Sequence, residues 1–242
     1  MRVLPIIDLL YPRHCPVCQD IVNAASQDAY ICEDCKRELP YLQGPRCMKC
    51  GKEVDREEQE YCRDCVRLPK HYIQGYPVFR YEGALKAGMA AFKYHNRKEY
   101  AEFYADSIWQ TYKQELQQCR LDLLIPVPVH KHKLRKRGYN QAELIARALS
   151  RYMQLPCCGK VLTRIIDTRP QKELNDKERL NNLKRAFLLS SNEVKLKRVL
   201  LVDDIYTTGA TIEACTQVLS EAGAEAVYYT SVCIGEGFGS SL

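Results

Sequence analysis

The sequence predicts an α/β protein, a parallel sheet flanked by helices, preceded by a small cysteine-rich module. Three observations carry this. Two short runs, Leu121–Pro128 and Val199–Val202, are apolar with little polar alternation, as expected of strands buried on both faces of a parallel sheet. Stretches of helical periodicity follow them, Tyr139–Leu149 and Ile212–Ala222, giving the strand and helix alternation that builds such a sheet. Finally, eight of the 13 cysteines fall in four Cys-x-x-Cys pairs near the beginning of the chain.

At 242 residues, with 46% apolar and 9% aromatic residues, the chain has room for one ordinary domain with a packed core and a small module. No run approaches the roughly 18 apolar residues needed to span a bilayer. Met1–Leu10 is interrupted by Pro5 and Asp8 and lacks a small-residue cleavage site. It is expected to be a short amphipathic segment packed on the protein, with a membrane or partner contact as the alternative, and not a secretory signal. Of the net charge of +6, residues 1–70 contribute 11 basic against 12 acidic side chains, a net of −1, and residues 71–242 contribute +7. Leu68-Pro69-Lys70-His71 marks the expected boundary between a 1–70 module and a 71–242 α/β domain.

The pairs are Cys15/Cys18, Cys32/Cys35, Cys47/Cys50 and Cys62/Cys65. Two such pairs brought together by a hairpin offer four thiolates in a tetrahedron, the arrangement of structural zinc. Two zinc ribbons are expected, pairing first with second and third with fourth. The crossed arrangement, first with third and second with fourth, is the alternative. Disulfides fit less well, because without a secretory signal the compartment is expected to be the reducing cytoplasm, and a redox dithiol fits less well because four evenly repeated pairs suit tetrahedral sites better than one reactive pair. Too little apolar sequence separates the pairs to form a core, so metal should hold the module together. Eight thiolates and two Zn²⁺ would bring its charge to about −5, which disfavours a phosphate backbone. A scaffolding or protein-contact role is expected instead.

Beyond the boundary, Tyr72–Tyr81 predicts a strand or hairpin. Gly83–Lys93 and Glu99–Leu116 predict helices broken near His95-Asn96, with Phe103, Tyr104 and Trp109 in the core. The Leu121–Pro128 strand stops at its prolines. Lys131, Lys133, Arg135, Lys136 and Arg137 then crowd one expected loop ending at Gly138, where they can serve as counter-charges to a pyrophosphate. Val161–Arg164 predicts a short strand. Ile165–Phe187 runs polar and charged, as a lid or a simple linker would. Glu225–Ile234 supplies the last strand, and the Gly235-x-Gly-x-Gly239 run has no helix after it, so it reads as a tail. Cys119, Cys157, Cys158, Cys215 and Cys233 show no metal spacing and are expected as buried or incidental thiols.

Val199–Thr211 says most about function. Asp203 and Asp204 end an apolar strand, and ligands bind beyond the carboxyl ends of such strands. Thr207, Thr208, Gly209, Ala210 and Thr211 lead into a helix whose first amides lack internal partners and suit an anion. Acids for sugar hydroxyls beside an amide-and-hydroxyl cup describe a site for a ribose 5-phosphate. The string resembles the phosphoribosyl-pyrophosphate (PRPP) motif of type I phosphoribosyltransferases, which implies that fold for the sheet. Pro126-Val-Pro128, the basic run, Arg137-Gly-Tyr-Asn-Gln-Ala-Glu143, Tyr81-Glu-Gly83, Phe92-Lys-Tyr94 and the zinc ribbons together resemble the ComF family.

The resemblance implies a type I phosphoribosyltransferase fold fused to an amino-terminal zinc module, in proteins serving DNA uptake or the use of external DNA. It also implies a flexible lid with Arg164, Arg169, Gln171 and Arg179, followed by Asn181. Two functions follow as expectations. One is Mg²⁺-dependent transfer of phosphoribosyl from PRPP, with pyrophosphate leaving. The other is a non-catalytic factor that senses PRPP or holds single-stranded DNA on its basic domain, with the zinc module contacting other competence proteins. The sequence identifies no general base and no acceptor pocket.

Overall fold

The computed structural model describes residues 12–22, 30–166, 185–191 and 193–235. In chain order its elements are α1 (Glu33–Arg37), α2 (Arg63–Arg67), β1 (Gly75–Arg80), α3 (Gly83–Tyr94), α4 (Tyr100–Gln118), β2 (Leu123–Pro126), α5 (Lys131–Arg137), α6 (Gln141–Met153), β3 (Leu162–Arg164), β4 (Phe187–Leu189), β5 (Arg198–Tyr206), α7 (Ala210–Glu221) and β6 (Ala226–Ile234). Strands β1, β6, β5 and β2 form, in that order, a sheet whose every pairing is parallel. Strand β3 pairs antiparallel with β4 as a separate two-stranded sheet.

Alternation along the central strand builds two core layers. Leu200 and Val202 face a layer holding Met89, Phe92, Tyr104, Ile108, Ile145 and Leu149, all but unexposed. These come from α3, α4 and α6. Val199 and Leu201 face the other layer, with Leu123, Ile125, Ile212, Cys215 and Leu219. Asn140 ties the first layer to the strand ends: its side chain caps α6 by accepting from the Ala142 amide at 3.2 Å and donates to the Val127 carbonyl at 2.9 Å. The break between α3 and α4 falls as predicted, with Asn96 at φ 55°.

The predicted basic loop is a helix, α5. Lys, Leu and Arg are good helix formers, the three bases Arg135, Lys136 and Arg137 sit in its last turn, and Gly138 ends it at φ 80°. Bases at a helix carboxyl end and a left-handed glycine after it are both stabilising. These local preferences outweigh the repulsion among its like charges. Met1–Leu10, the lid positions Arg169, Gln171, Arg179 and Asn181, and the run after Gly235 lie outside the described residues.

The cysteine-rich segment packs into both core layers. Cys15, Val17, Val22 and Ile31 join the first layer, whereas Cys47, Cys50, Cys62 and Cys65 join the second with Tyr72. The connection between them covers β1, an edge strand that would otherwise present unpaired backbone. There the Leu42 amide donates to Val78 at 3.1 Å and the Arg80 amide to Pro40 at 2.8 Å. Gly88 in α3 allows the first ribbon this close, since a β-carbon there would lie 1.6 Å from the Pro16 carbonyl.

Candidate functional site

Strand β5 outruns β2. The last residues to pair are Pro126 and Val202, whereas β5 continues beside β6 as far as Tyr206 and Ile234. Asp203 and Asp204 therefore lie within the strand, on the half that β2 leaves uncovered, and not after its end as the sequence suggests. Adjacent positions in a strand point to opposite faces, so the two acids have different surroundings. Asp203 accepts the Asp204 amide at 2.9 Å, and burial together with the Asp204 charge pushes its carboxyl up to about 8. Asp204 pairs with the Lys93 ammonium at 2.8 Å, the two side chains being 14% and 18% exposed. Burial disfavours the Lys93 charge, but Asp204 outweighs it and holds the ammonium above its ordinary value. Lys93 belongs to the Phe92-Lys-Tyr94 string, where nothing in the sequence gave it a role. Its signals were its place at the end of an apolar helix and the resemblance of that string to the ComF family.

The turn after β5 is shaped by Gly209, the N-cap of α7 at φ 74°. A β-carbon there would fall 2.1 Å from the Tyr206 hydroxyl. Thr208 Oγ1 accepts the Ala210 amide at 3.4 Å, Thr207 is exposed, and Ala210 and Thr211 open the helix half-buried. Two boundary residues grip this turn, and sequence reasoning missed both. Lys70 Nζ donates to the Thr208 carbonyl at 3.4 Å. His71 donates its amide to Glu213 at 2.9 Å and pairs with the same carboxylate through Nδ1. Glu213 is fully buried in the first turn of α7.

Among the bases of α5, Lys131, Arg135 and Lys136 are exposed and Lys133 and Arg137 half-buried. Arg137 is anchored: it donates to Gln141 at 3.0 Å and to the Tyr94 hydroxyl at 3.3 Å, its guanidinium 5.0 Å from the Tyr94 ring centre. Tyr94 is the neighbour of Lys93, so the end of α3 joins the acid-bearing strand to the basic helix. Gly138 is exposed. Arg164 sits in the β3–β4 pair, its guanidinium 5.4 Å from the Phe187 ring centre.

The cysteines form two tetrads, Cys15/Cys18/Cys32/Cys35 and Cys47/Cys50/Cys62/Cys65, each with ligand atoms within 4.8 Å of one another. Sulfur separations of 3.8 Å for Cys18–Cys32 and 3.6 Å for Cys50–Cys62 match the edge of about 3.8 Å that Zn–S bonds of about 2.3 Å give a tetrahedron. Both sets suit structural zinc, and the pairing is first with second and third with fourth. The second tetrad is buried throughout; in the first, Cys18 is exposed. Between the second ribbon and the carboxyl ends of β1 and β6 lies a cavity of about 680 Å³, lined among others by Glu53, Asp64, Arg80, Glu82, Thr207 and Gly235. Its Lys52 and Asp64 pair at 2.7 Å, and Arg80 pairs with both Glu53 and Glu82 at 2.9 Å. No described helix is long and apolar enough to cross a membrane.

Two family models match, the double zinc ribbon domain over residues 6–66 and the phosphoribosyl transferase domain over residues 135–235. Among solved structures, the purine phosphoribosyltransferase of Pyrococcus horikoshii matches at 18% identity and a TM-score of 0.35, over 55% of this chain and 73% of that one. Competence protein ComFC of Bacillus subtilis is 26% identical, over 81% of this chain and 80% of its own. The DNA utilization protein YhgH of Escherichia coli is 27% identical, over 84% and 89%. Competence protein F of Haemophilus influenzae is 30% identical over 81% of this chain and 87% of its own. With its two zinc ribbons and a phosphoribosyl transferase domain behind them, the chain belongs to the competence protein F (ComF) family.

Proposed function

We propose that the chain binds PRPP with Mg²⁺ across the carboxyl ends of β5 and β2, and that it serves DNA uptake or utilization, as the names of its relatives describe. The observation that carries the reading is the joining of two acids on the uncovered half of β5 to a helix start capped by a glycine five residues after Asp204. The turn of Thr207, Thr208, Gly209, Ala210 and Thr211 would hold the 5-phosphate through first-turn amides and the positive end of the helix. Asp203 and Asp204 would receive the ribose hydroxyls. Arg137, with Lys131, Lys133, Arg135 and Lys136 around it, would face the pyrophosphate; Arg164, and Arg169, Gln171 and Arg179 outside the described residues, would supply further donors to it.

Two carboxylates are a hard oxygen donor set but too few to cage Mg²⁺, which suits an ion held mainly by the ligand's phosphates and water. When bound, Mg²⁺ would neutralise charge on the departing pyrophosphate. Lys93 orients Asp204 through their ion pair. For displacement at the anomeric carbon the acceptor enters opposite the leaving group. Since the basic helix follows β2, we place the acceptor on the other flank of β5, in the cavity over β6 and β1. The 1–70 zinc module would then be a wall of the site and a contact for other competence proteins, with 71–242 as the PRPP domain. Cysteine tetrads suited to thiolate zinc sites support a reducing, cytoplasmic setting.

Pyrophosphate release from PRPP, assayed across nucleobases and amine donors, tests the reading. Release that Asp203→Asn and Asp204→Asn abolish supports transfer. Tight PRPP binding without turnover supports the sensing alternative. The exposed bases of α5 also favour polyanions, so single-stranded DNA and PRPP are expected to compete in one titration; independent binding refutes a shared basic helix.

A further inference from the structure

We infer that the second zinc ribbon sets the conformation of the phosphate turn through three buried tyrosines, which makes Tyr206 and Tyr229 positioning residues for PRPP. The ligand part of this rests on the reading that the turn holds the 5-phosphate. Tyr72, Tyr206 and Tyr229 are 0%, 3% and 0% exposed. Tyr229 donates its hydroxyl to the carbonyl of Cys50, a zinc ligand, at 2.7 Å. Its ring stacks on Tyr206, centres 4.8 Å apart and planes 10° from parallel. Tyr72 meets Tyr229 edge-on at 5.0 Å, and its hydroxyl bonds to that of Tyr206 at 2.9 Å. The Tyr206 hydroxyl is the group that would lie 2.1 Å from a β-carbon on Gly209, so the bend of the turn rests directly on it.

The ribbon reaches the same place by a second route. Lys49, beside Cys50, accepts the Gly75 amide at 2.9 Å through its carbonyl and holds its ammonium 5.8 Å from the Tyr72 ring centre. The chain leaving the second ribbon supplies Lys70 and His71, which bond to Thr208 and Glu213 on either side of Gly209. A glycine at positive φ gives the bend but not rigidity, because glycine adopts many other conformations equally well. An anion cup binds tightly only when its amides are already aligned. Close-packed rings transmit a shift of the Cys50 backbone instead of absorbing it, and a tyrosine hydroxyl stripped of its partner in this layer is costly.

The test uses the full chain with both zinc ions bound, comparing wild type with Tyr229→Phe and Tyr206→Phe. Amide hydrogen exchange is followed at residues 207–213, with the amides of α6 as the reference, and PRPP affinity is measured by titration. Expected are exchange about tenfold faster at the turn, α6 unchanged, full zinc content, and PRPP binding weaker by a similar factor. Wild-type exchange at the turn overturns the coupling, and so does equal acceleration in α6, which would mark general loosening. A wild-type protein that binds no PRPP overturns the PRPP reading and with it the ligand part of this inference, while exchange still decides the coupling. Should Tyr229→Phe not fold, Tyr72→Phe removes a single hydroxyl contact with Tyr206 and carries the same test.

Discussion

Replacing Lys93 with Met removes the charge that holds Asp204 while keeping most of the side-chain volume. At the 2.8 Å separation of this pair, the Coulomb attraction is about 6 kcal/mol at an effective dielectric of ~20. Desolvation of both ions offsets much of that. What the single substitution loses is governed by the carboxylate left behind, and stranding one member of a buried pair costs about 3 to 5 kcal/mol. Because both side chains retain some exposure, 18% and 14%, the lower end, about 3 kcal/mol, applies. Lys93→Met, Asp204→Asn and the double variant form a cycle, read by urea denaturation at pH 7. The double variant should recover most of the loss, with a coupling of about 2 kcal/mol. The lysine's value is raised in the folded protein, so its contribution is fully present below the unfolded value of about 10.4 and lost as pH rises through the folded one. On the lysine side the coupling should therefore hold from pH 5 to pH 9 and fade above about 10. Additive single losses, within about 0.5 kcal/mol, would refute the pairing.

Two other expectations concern the acid and the metals. Asp203 titrates near 8 when folded, against an ordinary carboxyl value of 3.8, so the native state binds more protons between those values. Stability should fall as pH rises from about 4 to about 8, by up to about 6 kcal/mol at this site. Denaturation midpoints at pH 5 and pH 8.5 should show Asp203→Asn losing less than wild type; a larger loss in the variant refutes the sign. Zinc chelation should lower and broaden a single calorimetric transition of the whole chain, because each tetrad sits in a different core layer and structural zinc contributes about 10 kcal/mol or more. Two transitions, with only the smaller responding to chelator, would show a module that folds by itself.

Much of this protein is determined by sequence alone, and for local reasons. Four Cys-x-x-Cys pairs at short spacing bring thiolates together whatever the fold around them. The Val199–Thr211 string carries its own strand, acids, glycine and helix start within one continuous segment. The order of strands and helices followed from periodicity, which is also local. Where the sequence fell short, one reason was local and the others lay far along the chain. The bases at 131–137 became a helix because propensity and the terminal glycine outweighed repulsion between exposed charges. Asp203 and Asp204 proved to lie inside a strand because β6 continues alongside β5 after β2 has stopped. Lys93 acquires a role only when α3 is laid against β5, 111 positions from Asp204 in the chain. Likewise, nothing local joins Cys50 to Tyr229, or Lys70 to Thr208. Those contacts exist because the second ribbon fills the core layer beside α7, and burial there gives each hydroxyl and ammonium a partner that only the folded chain supplies.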